Sequence, residues 1–315
     1  MSKKIKVAVI GCGGIAAAIH FPSLKRMETV EITGACDLSE ERLKLVNERF
    51  GITEGFKDYK VMLGSIEADA VYYLASPLKT EEIVTECLNH SKHVMMEKPP
   101  GARLEETKNM AALAKKKGVK TMVAFNRRFA PVIRKVMEKI RSKRAVTSCL
   151  AEFHKNNVGR SIEYGLPSWL VMDVIHQLDT LIYIAGSYPK SVKAHTAAYY
   201  ALEKNYHAAL IEFNNGVNGI LCSNFASGTR YERHEVHAKE CAAYMRLPTH
   251  AELYGSKGEE IIKVKDLTGA EEVFVNYGYL GETQHFIDCI MNDKQPETNL
   301  EHAVKIMELI ETILN

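Results

Sequence analysis

The sequence predicts an α/β protein in two parts: an N-terminal doubly wound parallel sheet and a C-terminal α+β domain with a mainly antiparallel open sheet. Three observations point there. Up to about residue 124, short continuous apolar runs alternate with stretches of helical periodicity, the pattern of a parallel sheet covered on both faces. From about residue 146, strand-like runs succeed one another with hairpin signals between them. A chain of 315 residues is also long for one hydrophobic core, so two domains are expected, 1–124 and 125–315.

The first strand is IKVAVI (5–10). Basic residues precede it, but the run is only a strand's length and leads into a glycine turn, which argues against a leader peptide. EITGAC (31–36), ADAVYYLA (68–75), KHVMM (92–96) and KTMVAF (120–125) follow as buried strands. Between them, 39–50, 80–90 and 103–118 carry apolar residues at helical spacing. Right-handed crossovers then make the sheet doubly wound. In the second half AVTSCLAEF (145–153) alternates like a strand, and WLVMDVIHQLDTLIYIAG (169–186) reads as one strong helix. Strand-like stretches come next, with turn signals at NNG (214–216) and YGSKGE (254–259). Helices over 283–293 and 299–314 close the chain, the last of them free to pack back on the N-terminal domain.

Composition narrows the class. Forty-one basic against 39 acidic side chains give a formal charge of +2, without the concentrated basic surface that nucleic acid requires. KKKGVK (115–120) is the one compact basic run and reads as a helix end. No stretch approaches the ~18 apolar residues of a membrane span. Seven scattered cysteines with no C-x-x-C pair suggest reduced thiols and a cytoplasmic location. No metal-ligand motif is present: His234 and His237 in RHEVHAK would point to opposite faces of a strand.

IKVAVIGCGGIAAAIH fits the dinucleotide fingerprint. Gly11, Gly13 and Ala16 hold the G-x-G-x-x-G/A positions directly after a strand and before a helix, whose first N–H groups suit a pyrophosphate. Asp37 lies 23 residues past Gly14, where a ribose-binding carboxylate belongs. Its charge would repel a 2′-phosphate, so NAD(H) is favoured while NADP(H) stays open. VMMEKPPGA (94–102) ends another strand of the same sheet. Pro99 and Pro100 stop the strand and stiffen the backbone around Lys98. Ligands gather outside the carboxyl ends of such strands, so Lys98 is placed to polarise a substrate oxygen; a solvated lysine before a proline-led helix is the plainer alternative. In the second half Asp173 and His176 stand three apart in one apolar helix. They read either as an acid–base pair or as a satisfied core histidine with flanking acids.

GCGGIA, EKPP, NRRFAP (126–131) and DVIHQLD together resemble the glucose–fructose oxidoreductase/inositol dehydrogenase family, Gfo/Idh/MocA, over essentially the whole chain. MVAFNRRFAP and DVIHQLDT are most similar to its MviM-type "virulence factor" branch. The resemblance implies a dinucleotide-binding domain, an open-sheet domain and redox chemistry on sugars, polyols and related compounds. It assigns Lys98 and His176 as catalytic and allows a cis Lys98–Pro99 peptide. Many members carry an aspartate four residues before the histidine; here that position is Met172, and Asp173 is expected to take over. The expected cofactor contacts are Gly11, Gly13, Gly14, Ile15, Asp37, Ser76, Glu97 and Asn126. Arg128 either lines the site or pins the turn joining the domains. His20 either faces the nucleotide or ends its helix.

The expected activity is therefore NAD(P)-dependent oxidation or reduction of a sugar- or polyol-like CH–OH group. Two rivals stand beside it: redox-masked glycoside cleavage with NAD retained, and a nucleotide-binding regulator that has lost turnover. The expected partners are the small-molecule substrate and further copies of the chain, in a dimer or tetramer paired through the second sheet.

Overall fold

The structure, a computed structural model, describes residues 4–142, 145–256 and 258–315. Six short strands form one all-parallel sheet: β1 (Ile5–Ile10), β2 (Val30–Cys36), β3 (Gly55–Phe56), β4 (Ala70–Tyr73), β5 (His93–Met96) and β6 (Thr121–Val123), in the order β3-β2-β1-β4-β5-β6. Val7, Ala8, Val9, Val71, Tyr72, Val94, Met95 and Met122 are fully buried, which is why these strands read as continuous apolar runs. The crossovers are helical: α1 (Phe21–Lys25), α2 (Glu40–Phe50), α3 (Tyr59–Ser65), α4 (Thr80–Asn89) and α5 (Leu104–Lys117). Ser39 caps α2, its Oγ accepting from the Arg42 N–H, and Lys115, Lys116 and Lys117 complete the last turn of α5. The short β3 and α3 fall outside the sequence reading, because a two-residue strand carries no period.

From Phe125 the chain enters a second compact unit. After α6 (Pro131–Arg141) come β7 (Val146–Asn156), a π-turn (Leu170–Val174) leading into α7 (Ile175–Ala185), and then β8 (Pro189–Ala197), β9 (Tyr206–Phe213), β10 (Asn218–Asn224), β11 (Ala226–Ala238), β12 (Cys241–Arg246), β13 (His250–Gly255) and β14 (Gly258–Lys263). The sheet order is β14-β13-β12-β11-β7-β10-β9-β8. Its neighbours are antiparallel except β7 and β10, which run parallel. One face is buried: Cys149, Ala151 and Phe153 on β7, Leu221 on β10, and His234 and Val236 on β11, with α7 packed on β7 and β10. His237 is half-exposed on the opposite face from His234, as strand alternation requires. The helix expected over 169–186 thus begins with a π-turn just before His176, a local widening common at functional sites.

Short helices α8 (Val264–Thr268) and α9 (Val273–Asn276) end this stretch. Helix α10 (Tyr279–Met291) and the segment through Val304 belong to the first unit, and the division falls within α11 (Leu300–Leu314). Hydrogen bonds hold that segment against β6: the Val123 N–H donates to Thr298 O, Thr298 Oγ1 donates to Val123 O, and the Leu300 N–H donates to Thr121 Oγ1. Phe286 meets Tyr72 edge-on. Among the described residues no helix is long and apolar enough to cross a membrane.

Two buried histidines set an acid limit on the second unit. His207 meets only Ser223 Oγ, and neither ring nitrogen of His234 finds a hydrogen-bond partner among the described residues. Burial pushes both imidazoles down to about 4. The folded form holds them neutral, whereas the unfolded chain takes up protons below its ordinary value near 6.5. Their stabilisation is complete above that value and is lost as pH falls toward 4, on the order of 3 kcal/mol for each ring. Urea midpoints should fall steeply between pH 7 and pH 4.5, and His234→Leu should flatten the fall; an equal fall in the variant would refute this source.

Candidate active site

The carboxyl ends of a parallel sheet share one edge, and in the first unit the glycine loop, Asp37, Ser76, Glu97 and Lys98 all follow strands ending there. Gly11 has φ +98°, and a Cβ on it would lie 2.7–2.8 Å from the backbone of Leu74 and Ala75. Only glycine lets β1 turn this close to the end of β4. Gly13 and Gly14 differ: a Cβ on either would meet nothing within 4 Å. They border open space at the start of a helical segment whose first N–H groups lack intrahelical acceptors. Ile15 caps that segment, which continues as a π-turn (Ala16–His20) into α1. Backbone with no side chain to intrude, beside a helix start, is a cradle that fits a pyrophosphate.

Asp37 ends β2 with both oxygens engaged. Cys12 N–H donates to Oδ2 at 2.8 Å and Ser39 N–H to Oδ1 at 2.9 Å, so the carboxylate locks the glycine loop to the start of α2. Each oxygen keeps a further lone pair for a ribose hydroxyl. Arg42 Nη1 lies 3.7 Å from Oδ2. Burial pushes the Cys12 thiol up to about 12 and the Cys36 thiol up to about 11, so neither serves as a nucleophile. Ser76 leads into the turn Pro77–Lys79, its carbonyl accepting from Tyr73 OH.

Sequence reasoning missed two apolar side chains on this edge. Leu38, after Asp37, is 87% exposed, and Leu78, after Ser76, is 56% exposed. An apolar residue directly after the fingerprint acid was the available signal. Both leave apolar surface exposed.

Glu97 and Lys98 follow β5, and the Lys98–Pro99 peptide is cis. Glu97 Oε1 lies 2.8 Å from His20 Nε2, and Oε2 accepts from the Lys98 N–H at 3.1 Å. Burial works against the charge, but the hydrogen bond from His20 and the Lys98 ammonium outweigh it, and the carboxyl sits below its usual range. His20 is buried, edge-on to Tyr72 and Tyr279. It therefore ties the fingerprint helix to the strand end that carries Lys98. Lys98 itself is half-buried.

In the second unit, residues 126–129 form a tight turn followed directly by α6. Asn126 is fully buried, donating to Tyr277 O and accepting from Arg127 Nη1, both at 2.8 Å. Gly278 presses on this turn, since a Cβ there would lie 2.4 Å from Asn126 O and Ala130 N. Arg128 grips Asp179 through two bonds of 2.9 and 2.6 Å, both residues buried. Arg127 Nε donates to Glu232 Oε1, which also accepts from Gln177 Nε2. Burial opposes the Glu232 charge, yet Arg127 holds the carboxyl down to about 2. His176 is 4% exposed on the first turn of α7, with Phe125 edge-on to its ring at 6.4 Å. Asp173 lies in the π-turn with Oδ2 2.6 Å from Lys155 Nζ, a partner the sequence reading did not single out. Among the described residues no group of three or more His, Cys, Asp or Glu could hold a metal ion.

Known proteins resemble this chain in sequence and fold. Residues 5–125 match the GFO_IDH_MocA oxidoreductase family, NAD-binding Rossmann fold, and residues 168–315 match that family's C-terminal alpha/beta domain. The D-glucoside 3-dehydrogenase of Escherichia coli is 24% identical, covering 98% of this chain and 94% of its own. The myo-inositol 2-dehydrogenase of Thermotoga maritima is 31% identical over 43% of this chain and 40% of its own. The crystal structure of a dehydrogenase (MviM) from Clostridium difficile superposes with a TM-score of 0.86 at 23% identity, covering 99% of both chains, a likeness of fold. With the glycine cradle, the Asp37 lock and Lys98 on one sheet edge, these matches identify the chain as a member of the Gfo/Idh/MocA family, an NAD(P)-binding oxidoreductase.

Proposed function

We propose that this protein is an NAD(P)-dependent dehydrogenase or reductase acting on a sugar- or polyol-like CH–OH group, within the MviM-type branch. The observation that carries it is Lys98, fixed by the Glu97–His20 bond at the end of β5 on the edge that carries the open glycine cradle. The relatives named for glucoside and inositol dehydrogenation support the substrate class. The bound dinucleotide would accept or supply the hydride. Gly11, Gly13, Gly14 and Ile15 would hold its pyrophosphate, Asp37 its ribose, and Leu38, Ser76 and Leu78 its adenosine end. Glu97 acts through Lys98, and Asn126 by fixing the turn before α6. Lys98 would donate a hydrogen bond to the substrate oxygen and stabilise the charge that develops on it. His176 would take the hydroxyl proton in oxidation and return it in reduction, with Asp173 setting its field.

NAD(H) is the favoured cofactor, because the Asp37 carboxylate opposes a 2′-phosphate. Arg42, 58% exposed beside it, keeps NADP(H) within reach. The more open face of the eight-stranded sheet supports self-association into a dimer or tetramer.

Titration with NADH and NADPH, followed by nicotinamide fluorescence with a panel of sugars and polyols, tests this reading. Gly13→Val should abolish binding of both nucleotides while the melting temperature holds, since the added carbons meet only the cradle. Binding that survives would place the nucleotide elsewhere. Asp37→Ala should shift preference toward NADPH by roughly tenfold, the loss of one repulsive charge. Lys98→Ala should cut turnover of any reactive polyol by about 10²-fold or more, with nucleotide affinity kept. Unchanged turnover would remove Lys98 from the chemistry.

A further inference from the structure

The open face of the eight-stranded sheet carries a row of basic side chains. Strand alternation turns Arg233 of β11, Arg246 of β12, His250 of β13 and Lys263 of β14 to that face. The register sets Arg233 opposite Arg246, Arg246 opposite His250, and His250 opposite Lys263. Like charges directly opposite one another destabilise a sheet, so such a row calls for anions beside it. Arg233 has them, in Glu152 Oε2 at 2.8 Å and Glu235 Oε1 at 2.6 Å. Arg246 and Lys263 meet no carboxylate among the described residues. Glu252 lies 3.7 Å from His250 Nε2 and also accepts from Tyr254 OH.

The surroundings of Arg246 are built. Its guanidinium lies 5.3 Å over the Tyr231 ring centre, and Tyr231 stacks on His154 of β7. Tyr244 stands edge-on to both His237 and Tyr254. A hollow of about 290 Å³ opens here, bounded by Tyr231, Arg233, Tyr244, Arg246, His250 and Glu252. An adjoining hollow of about 500 Å³ shares His250 and Glu252 and reaches Ile261, Val264 and Lys263.

A guanidinium fork matches the oxygens of a phosphate, and two uncompensated cations suit a dianion better than a single carboxylate. We propose that this end of the sheet binds a small phosphate monoester. Arg246 takes two phosphate oxygens, His250 and Lys263 flank the group, and the organic remainder lies against the exposed side chain of Ile261. Every residue involved belongs to the second unit, whereas the glycine cradle belongs to the first, so the site is independent of the nucleotide reading. Leu210 and Ile220, exposed apolar side chains of the same sheet, lie on β9 and β10, beyond β7. Pairing of copies through them does not require this end.

The test follows the melting temperature of the full chain at constant ionic strength as glycerol 3-phosphate replaces chloride. The parent should show a saturable rise. Arg246→Gln should raise the half-saturating concentration about tenfold, the loss of a charge-assisted fork. Arg246→Lys, which keeps the charge and loses the fork, should fall between, and Lys263→Gln should shift it in the same direction. If Arg246→Gln does not fold, Lys263→Gln is read in its place. Inorganic phosphate is titrated alongside; equal half-saturation would assign the hollow to the free ion and overturn the ester. A rise that is the same in parent and Arg246→Gln overturns the site altogether. A rise lost in Gly13→Val instead would place the anion at the nucleotide cradle. Light scattering covers the remaining occupant: a lower assembly mass in Arg246→Gln, with the phosphate response unchanged, would give this arginine to a second copy of the chain.

Discussion

The first unit depends on how closely β1 approaches the end of β4. Gly11 turns the chain where no side chain fits, and that turn puts Cys12 where its N–H reaches Asp37. Asp37 in turn holds the start of α2 through Ser39. One steric constraint therefore sets the loop, the cradle at Gly13 and Gly14, and the carboxylate expected to meet the ribose. A second link, His20 to Glu97, carries the same order across the sheet to Lys98. The glycine cradle and Lys98 are thus held by two groups of hydrogen bonds, joined only through the backbone of the segment between Cys12 and His20.

The second unit is governed by charge burial. Arg127 with Glu232 and Gln177, and Arg128 with Asp179, bury five polar side chains in mutual hydrogen bonds, with Gln177 Oε1 alone of their acceptors finding no partner among the described residues. Buried pairs of this kind add little net stability, but breaking one strands its partner in a medium that solvates it poorly. Their consequence here is geometric: they fix the turn before α6 to α7 and β11.

Sequence patterns by themselves determined the class of each half. Short apolar runs alternating with helical periods read as strands buried on both faces; hence the parallel sheet, the glycine turn after β1 and the positions of Asp37 and Lys98 at strand ends were readable. Strand alternation likewise separated His234 from His237. Only the tertiary structure decided the rest, because those facts are contacts between distant residues. Lys155 and Asp173 are 18 positions apart across a loop, Arg127 and Glu232 are 105 apart, and Asn126 meets Tyr277 across 151. The π-turn before His176 is a matter of backbone hydrogen bonding that apolar spacing cannot distinguish from an α-helix. Membership of α10 in the first unit depends on Thr298 bonding Val123 and Phe286 meeting Tyr72, pairings that no local period encodes. Local pattern specifies what an element is, whereas the partner of a charge is chosen only when the chain folds back on itself.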